Sequence, residues 1–232
     1  MCSVSIVAAD SGVRLVCNRD ERLARTAAQP PALHRTGAGI AVYPTDPQSG
    51  GTWIGIADRG FAAVLLNRTP PRANPRPATT SRGAIVPFML ERDSFAEAIH
   101  AATRIDGDCF DPFMLILLNP SRTVAITSGG AIRSHRINRP LLFTSSSLGD
   151  HLVQPPRHAL FEHMVVGAHD PFDAQSRFHR HQWPQARQIS VHMQRDDAAT
   201  VSRTTIDLSS RTMRVHYEAL PTACGSSASH AA

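Results

Sequence analysis

The residue best suited to covalent chemistry stands second in the chain. Met1 precedes a small residue, Cys2, and methionine in that setting is expected to be trimmed. A cysteine left at the N-terminus holds a nucleophile and a base in one residue. Its thiol attacks, and its α-amine, with a pKa of roughly 7.7–8.0, takes the proton near neutral pH. The tetrad Asn18-Arg19-Asp20-Glu21 lies at the end of the next strand-like segment. If residues 10–12 form a three-residue turn, Cys2 faces Asp20. If Ser11-Gly12 form a two-residue turn, Cys2 faces Glu21. Either register brings a carboxylate to the new N-terminus, where it would orient the amine during proton transfer. Arg19 would bias the thiol toward thiolate. Asn67 closes the apolar run Ala62-Ala63-Val64-Leu65-Leu66, and its amide is a suitable oxyanion donor for acyl transfer.

The elements that must position these groups read as antiparallel hairpins. Residues 2–9 pair with 13–18, 52–57 with 61–67, and 113–118 with 122–127. Further strands are expected at 39–43, 130–137, 141–144, 188–193, 200–207 and 212–217. Residues 19–36 read as a polar, proline-containing stretch, and 68–80 as a surface loop rich in proline and arginine. Helices are expected over 81–91, from the capping box Ser94-Phe95-Ala96-Glu97 to about 103, and over 155–166. Residues 167–184 read as a polar, histidine-rich segment. Hairpins with helices grouped between them define an α+β layered protein and not a βαβ winding. Residues 1–218 are expected to form one domain, and 219–232 a flexible tail.

Composition narrows the function. The chain has 232 residues, 42% of them hydrophobic, enough for a full core. Its 24 basic residues are all arginine, against 19 acidic ones. They are spread from Arg14 to Arg214, with aromatics at only 6%, so no nucleic-acid footprint is expected. The longest apolar run, 113–118, is far short of a membrane span, and no membrane insertion is expected. Four spaced cysteines make no disulfide framework, and no secretory segment is evident. A cytoplasmic protein acting on a small molecule is expected. Phe178-His179-Arg180-His181 offers two imidazoles but lacks zinc-site spacing, so no metal and no cofactor are expected. An arginine and histidine wall for an anionic substrate fits better.

Several local motifs occur together: Cys2, Asn18-Arg19-Asp20-Glu21, Gly50-Gly51-Thr52-Trp53-Ile54-Gly55, Leu65-Leu66-Asn67-Arg68, Ser81-Arg82-Gly83 and Phe143-Thr144-Ser145-Ser146-Ser147-Leu148-Gly149-Asp150. In order and spacing they resemble the NRDE family, also called the transport and Golgi organisation protein 2 family. The resemblance is dense over residues 2–92 and looser beyond. It implies an N-terminal-nucleophile (Ntn) hydrolase-like αββα sandwich of two antiparallel sheets, similar to choloylglycine hydrolases and penicillin V acylases. On that likeness Cys2, Arg19, Asp20 and Asn67 would be catalytic. Asn18, Glu21, Ser145, Ser146, Arg68, His179 and His181 are assigned to substrate binding. The acylases carry a further site asparagine where this chain has Ser145-Ser146-Ser147, a departure that weakens transition-state support there. Their late arginine would correspond to Arg203. Members of the family have been linked to haem trafficking and to acyl-CoA or lipid homeostasis. The expected activity is therefore a cysteine amidohydrolase or acyltransferase acting on an amide or thioester. The alternative is a non-catalytic carrier of haem or acyl-CoA-like ligands.

Overall fold

The computed structural model describes residues 2–9, 12–69 and 78–221. The first hairpin pairs β1 (Cys2–Ala9) with β2 (Gly12–Arg22). A five-stranded antiparallel sheet forms around it, completed by β10 (Leu141–Thr144), β11 (Ala198–Leu208) and β12 (Met213–Ala219) in the order β10-β1-β2-β11-β12. A second sheet is a seven-stranded meander. It runs through β3 (Gln29–Thr36), β4 (Gly39–Thr45), β5 (Ile54–Ala57), β6 (Phe61–Asn67), β7 (Phe113–Asn119), β8 (Arg122–Thr127) and β9 (Ile132–Arg136). Helices α1 (Ile85–Leu90) and α2 (Phe95–Thr103) cover its outer face, and α3 (Asp150–Met164) and α4 (Pro171–Arg180) cover the five-stranded sheet.

Alternation along the strands builds the four layers. In β6, Ala62, Val64 and Leu66 enter the core between the sheets, while Phe61, Ala63 and Leu65 pack toward α1 and α2. In β7, Ile116 and Leu118 face inward and Phe113, Leu115 and Leu117 outward. Burial on both faces is why these strands read as unbroken apolar runs. β1 divides differently. Cys2, Val4 and Ile6 join the inter-sheet core, while Ser3, Ser5 and Val7 lie beneath α3 and α4.

Four elements depart from the sequence expectation. β3 occupies part of the stretch assigned to loop. It is an edge strand with an irregularity between Gln29 and Ala32, the setting in which Pro30 and Pro31 are tolerated. α4 occupies the polar, histidine-rich segment, to which the sequence reading assigns no helix. Asp170 caps it by accepting from the Phe172 and Asp173 N–H groups, and Pro171 opens it. α3 begins at Asp150, earlier than expected, and carries Pro155 and Pro156 in its first half. The strand expected at 188–193 is instead a 3-10 turn over Arg187–Ile189 followed by irregular chain. β12 reaches Ala219, so the expected tail starts later, and residues 222–232 lie outside the described residues.

Candidate functional site

The β1–β2 register decides what Cys2 meets. Ala9 pairs with Gly12, which places Cys2 opposite Arg19. Both registers expected from the sequence were off, and Cys2 faces neither Asp20 nor Glu21. The cause is Gly12. Its φ is 132°, and a Cβ there would lie 2.4 Å from the Leu208 carbonyl oxygen. Gly12 is thus a strand residue pressed against β11 and cannot serve as part of the turn. The shift exchanges faces. Arg19 and Glu21 turn toward the space above the inter-sheet core, while Asn18 and Asp20 turn toward the helices.

Cys2 lines a cavity of about 520 Å³ at one end of the sandwich. Arg19, Glu21, Trp53, Asn67 and Arg68 line it too. Six arginines (19, 22, 25, 68, 82 and 195) meet four carboxylates (Glu21, Asp46, Asp111 and Asp197) among the described lining residues. Arg19 donates to Asp46 and Glu21, each at 3.2 Å, and its guanidinium lies 4.3 Å from the Trp53 ring centroid. Arg25 donates to the same Asp46 oxygen at 2.7 Å. Burial would raise the Asp46 carboxyl, but Arg25, the Gln48 N–H and Arg19 together hold it below the ordinary carboxylate range. Arg22 has no carboxylate partner among the described residues, and Arg68 reaches Asp150 only at 3.8 Å. These two guanidiniums are the freest to meet an anion.

Two close approaches shape the rim. Thr52 N–H donates to the Gly83 carbonyl at 3.0 Å. A Cβ on Gly51 would fall 2.4 Å from Gly83 backbone atoms, so Gly51 is required to bring Ser81-Arg82-Gly83 against Thr52-Trp53. On the other side Asp150, at the start of α3, accepts from Ser146 N–H at 3.0 Å and Thr69 N–H at 3.3 Å. It ties the end of β10 to the end of β6.

The outer face of the five-stranded sheet is a buried polar layer. Asn18 donates to the His179 and Val191 carbonyls at 2.8 and 2.9 Å and accepts from Arg203 Nε at 3.1 Å. Asp20 accepts from the Thr200 hydroxyl at 2.7 Å. Burial raises its carboxyl above the usual range, partly offset by the charge of Arg157. Arg157 is 1% exposed and donates to Ser3, Thr144 and the Ile189 and Ser190 carbonyls. His179 meets the Ser5 hydroxyl at 2.7 Å.

The sequence-derived site therefore divides. Cys2, Arg19, Glu21, Asn67 and Arg68 converge on the cavity. Asn18, His179 and His181 do not line it. Asn18 and His179 hold the sheet to α4, because alternation turns Asn18 outward. His181 follows the end of α4 against Trp183, with ring centroids 5.1 Å apart. The two imidazoles belong to a helix end and do not share a strand face. Arg203 pairs with Glu218 and Asn18 and is also outside the lining. Ser145 and Ser146 are buried beside the cavity. Ser145 accepts from Cys2 N–H at 3.3 Å, and its own N–H donates to the Cys2 carbonyl at 3.0 Å. The Ser146 hydroxyl accepts from Leu148 N–H. Sequence reasoning gives no site role to Arg25, Asp46, Arg82 and Arg195, although Arg82 lies in the Ser81-Arg82-Gly83 motif; the pairing of Asp46 with Arg19 and Arg25 joins separate segments. Among the described residues no cluster of three His, Cys, Asp or Glu could hold a metal ion, and no helix is long and apolar enough to cross a membrane.

The paired antiparallel sheets between helix layers define an Ntn-hydrolase fold. A solved structure of a Caenorhabditis elegans N-acylethanolamine-hydrolyzing acid amidase (NAAA) ortholog shares it, with a TM-score of 0.61 and 14% identity over 89% of this chain and 92% of that one. The chain belongs to the Transport and Golgi organisation 2 family, whose model matches residues 1–215. No curated protein matches the sequence.

Proposed function

We propose that this protein is an Ntn-type cysteine amidohydrolase or acyltransferase acting on an amide or thioester of a small anionic molecule. One observation carries the reading: the Cys2 thiol lines an arginine-rich cavity opposite Arg19, with Asn67 in the same lining. The fold shared with an amidase, as that neighbour's name describes it, agrees with acyl chemistry.

Removal of Met1 makes the Cys2 nitrogen an α-amine beside the Ser145 hydroxyl. The amine takes the thiol proton, and the thiolate attacks the substrate carbonyl carbon. Charge moves to the carbonyl oxygen, where the Asn67 amide donates a hydrogen bond. The α-ammonium returns its proton to the departing nitrogen or sulfur, leaving an acyl-enzyme. Water or an acceptor amine, deprotonated by the same α-amine, then releases the acyl group. Asp20 acts from behind the strand, through charge, to stabilise the positive amine. Arg22 and Arg68 receive the substrate's anionic group. Free Cys2 and Cys17 thiols suit a reducing compartment, and we place the activity in the cytoplasm.

A second reading is a binding protein for haem or acyl-CoA-like ligands that does not turn them over. It is favoured by the serine run 145–147 standing where the acylases carry a site asparagine, since a serine side chain is shorter than the amide it replaces. That weakens the support Asn67 would receive from a second side-chain donor at the oxyanion. Incubation with a panel of amides and thioesters, followed by mass spectrometry of the intact protein, separates the readings. The enzyme lacks Met1 and accumulates an acyl adduct on Cys2, and Cys2→Ala abolishes turnover. Retained Met1, or ligand affinity unchanged in Cys2→Ala with no adduct in the parent, overturns the catalytic reading.

A further inference from the structure

A second sulfur lies beside the first. Cys2 pairs with Arg19 and Val4 pairs with Cys17 across the same ladder. Cys17 is therefore the diagonal neighbour of Cys2 on one face of the sheet. Both belong to the apolar layer between the sheets, and Cys17 is fully buried while Cys2 opens on the cavity. Both thiols are free. Diagonal strand neighbours sit about 7–8 Å apart at Cα, beyond the roughly 4.4–6.8 Å usual for a disulfide. That separation argues against a disulfide between them and leaves the two thiols as neighbours on one face.

We propose that Cys17 is a positioning residue for Cys2, donating its S–H to the Cys2 sulfur and holding that sulfur as the attacking thiolate. The proton bookkeeping is asymmetric. Hydrogen bonding from Cys17 brings the Cys2 thiol below its ordinary value, against the opposing effect of burial. The same bond, with burial, pushes Cys17 well above its own. Cys17 keeps its proton where Cys2 gives its proton up. The other charges around Cys2 are the N-terminal amino group, Arg19 beside it on β2, Asp20 and Arg157 behind the strand, and Asp46, Arg68 and Arg195 from the surrounding loops. The amino group favours the thiolate, Asp20 opposes it, and Arg19 favours it. Cys17 is the neighbouring S–H donor on the same face of the sheet, so its removal should be read at the Cys2 sulfur.

The inference shares the nucleophile reading of Cys2, but its test does not depend on turnover. The rate of Cys2 alkylation by iodoacetamide, followed by mass spectrometry across pH, reports the thiolate directly. Cys17→Ala and Cys17→Val should move the alkylation profile to higher pH and slow the neutral-pH reaction about tenfold, one pKa unit. The plateau rate at high pH should stay unchanged. Cys17→Ser, whose hydroxyl also donates, should keep most of the parental profile. Equal shifts in all three variants would indicate packing alone and overturn the proposal, as would no shift in any. Ultraviolet titration of thiolate absorbance in the parent supplies a reading that needs no folded variant: a single acidic thiol supports the proposal, and none overturns it. A chain with an acidic Cys2 but no acyl adduct would sink the hydrolase reading and leave this one standing.

Discussion

Cys2 faces Arg19 across the β1–β2 ladder, and Asp20, the next residue along, lies on the opposite face of the sheet. The thiol thus sees a cation directly and the carboxylate only through the strand. Arg19 in turn is held by Asp46. Replacing Asp46 with Asn should loosen both Arg19 and Arg25 and cost about 2–3 kcal/mol, because two partly buried cations lose their shared partner. Urea denaturation reads the loss, and an unchanged midpoint would show that the network is structurally idle.

Asn67 is expected to act on the transition state more than on substrate binding. Asn67→Ala should lower kcat by about 10²–10³-fold with KM nearly constant. A rise in KM at constant kcat would instead make the amide a binding group.

Arg22 and Arg68 should set the charge preference of the cavity. Arg68→Met, or Arg22→Met, should raise KM roughly tenfold for an anionic substrate and leave a neutral analogue unaffected. Equal losses for both substrates would rule out recognition of the anion by these residues.

Asn18 should matter for stability. Its amide serves two carbonyls and Arg203 at once, and Asn18→Ala leaves those buried groups unpaired at a cost of about 3 kcal/mol. In the fraction that folds, Cys2 should alkylate at the parental rate. A normal melting temperature would contradict this role.

His179 gives the fold a pH dependence. Burial, with Arg203 and Arg157 nearby, holds its imidazole well below the ordinary value. Below about pH 6.5 the unfolded chain takes up a proton here that the folded protein refuses, so stability falls as pH drops, by up to about 1.4 kcal/mol per pH unit. Asp20 works in the opposite direction. Its raised carboxyl binds a proton in the folded state first, so its contribution improves as pH falls through that raised value. His179→Gln should flatten the slope between about pH 6.5 and 5 in chemical denaturation series. An unaltered slope would assign it to other groups.

The hairpins and the layer order were legible because strands buried on both faces leave long apolar runs, as in residues 61–66 and 113–118. The register at Cys2 was not, since one residue of turn length exchanges every side chain between faces, and only the contact of Gly12 with Leu208 settles it. α4 was hidden because Gln175 and His179 occupy its buried face, so its periodicity is polar, although Asp170-Pro171 announced its start. β3 was hidden by prolines that only an edge strand accepts. The cavity's acidic partners, Asp46 above all, come from loops whose convergence follows from the fold and not from spacing.

The alternation of the tetrad has a corollary for reading related chains. Asn18 fastens the sheet to α4 and Asp20 is held by Thr200 of β11, whereas Arg19 and Glu21 furnish the chamber. Half of this signature is thus maintained by architecture, and a descendant that had lost its sulfur and its chemistry would still be selected to keep that half.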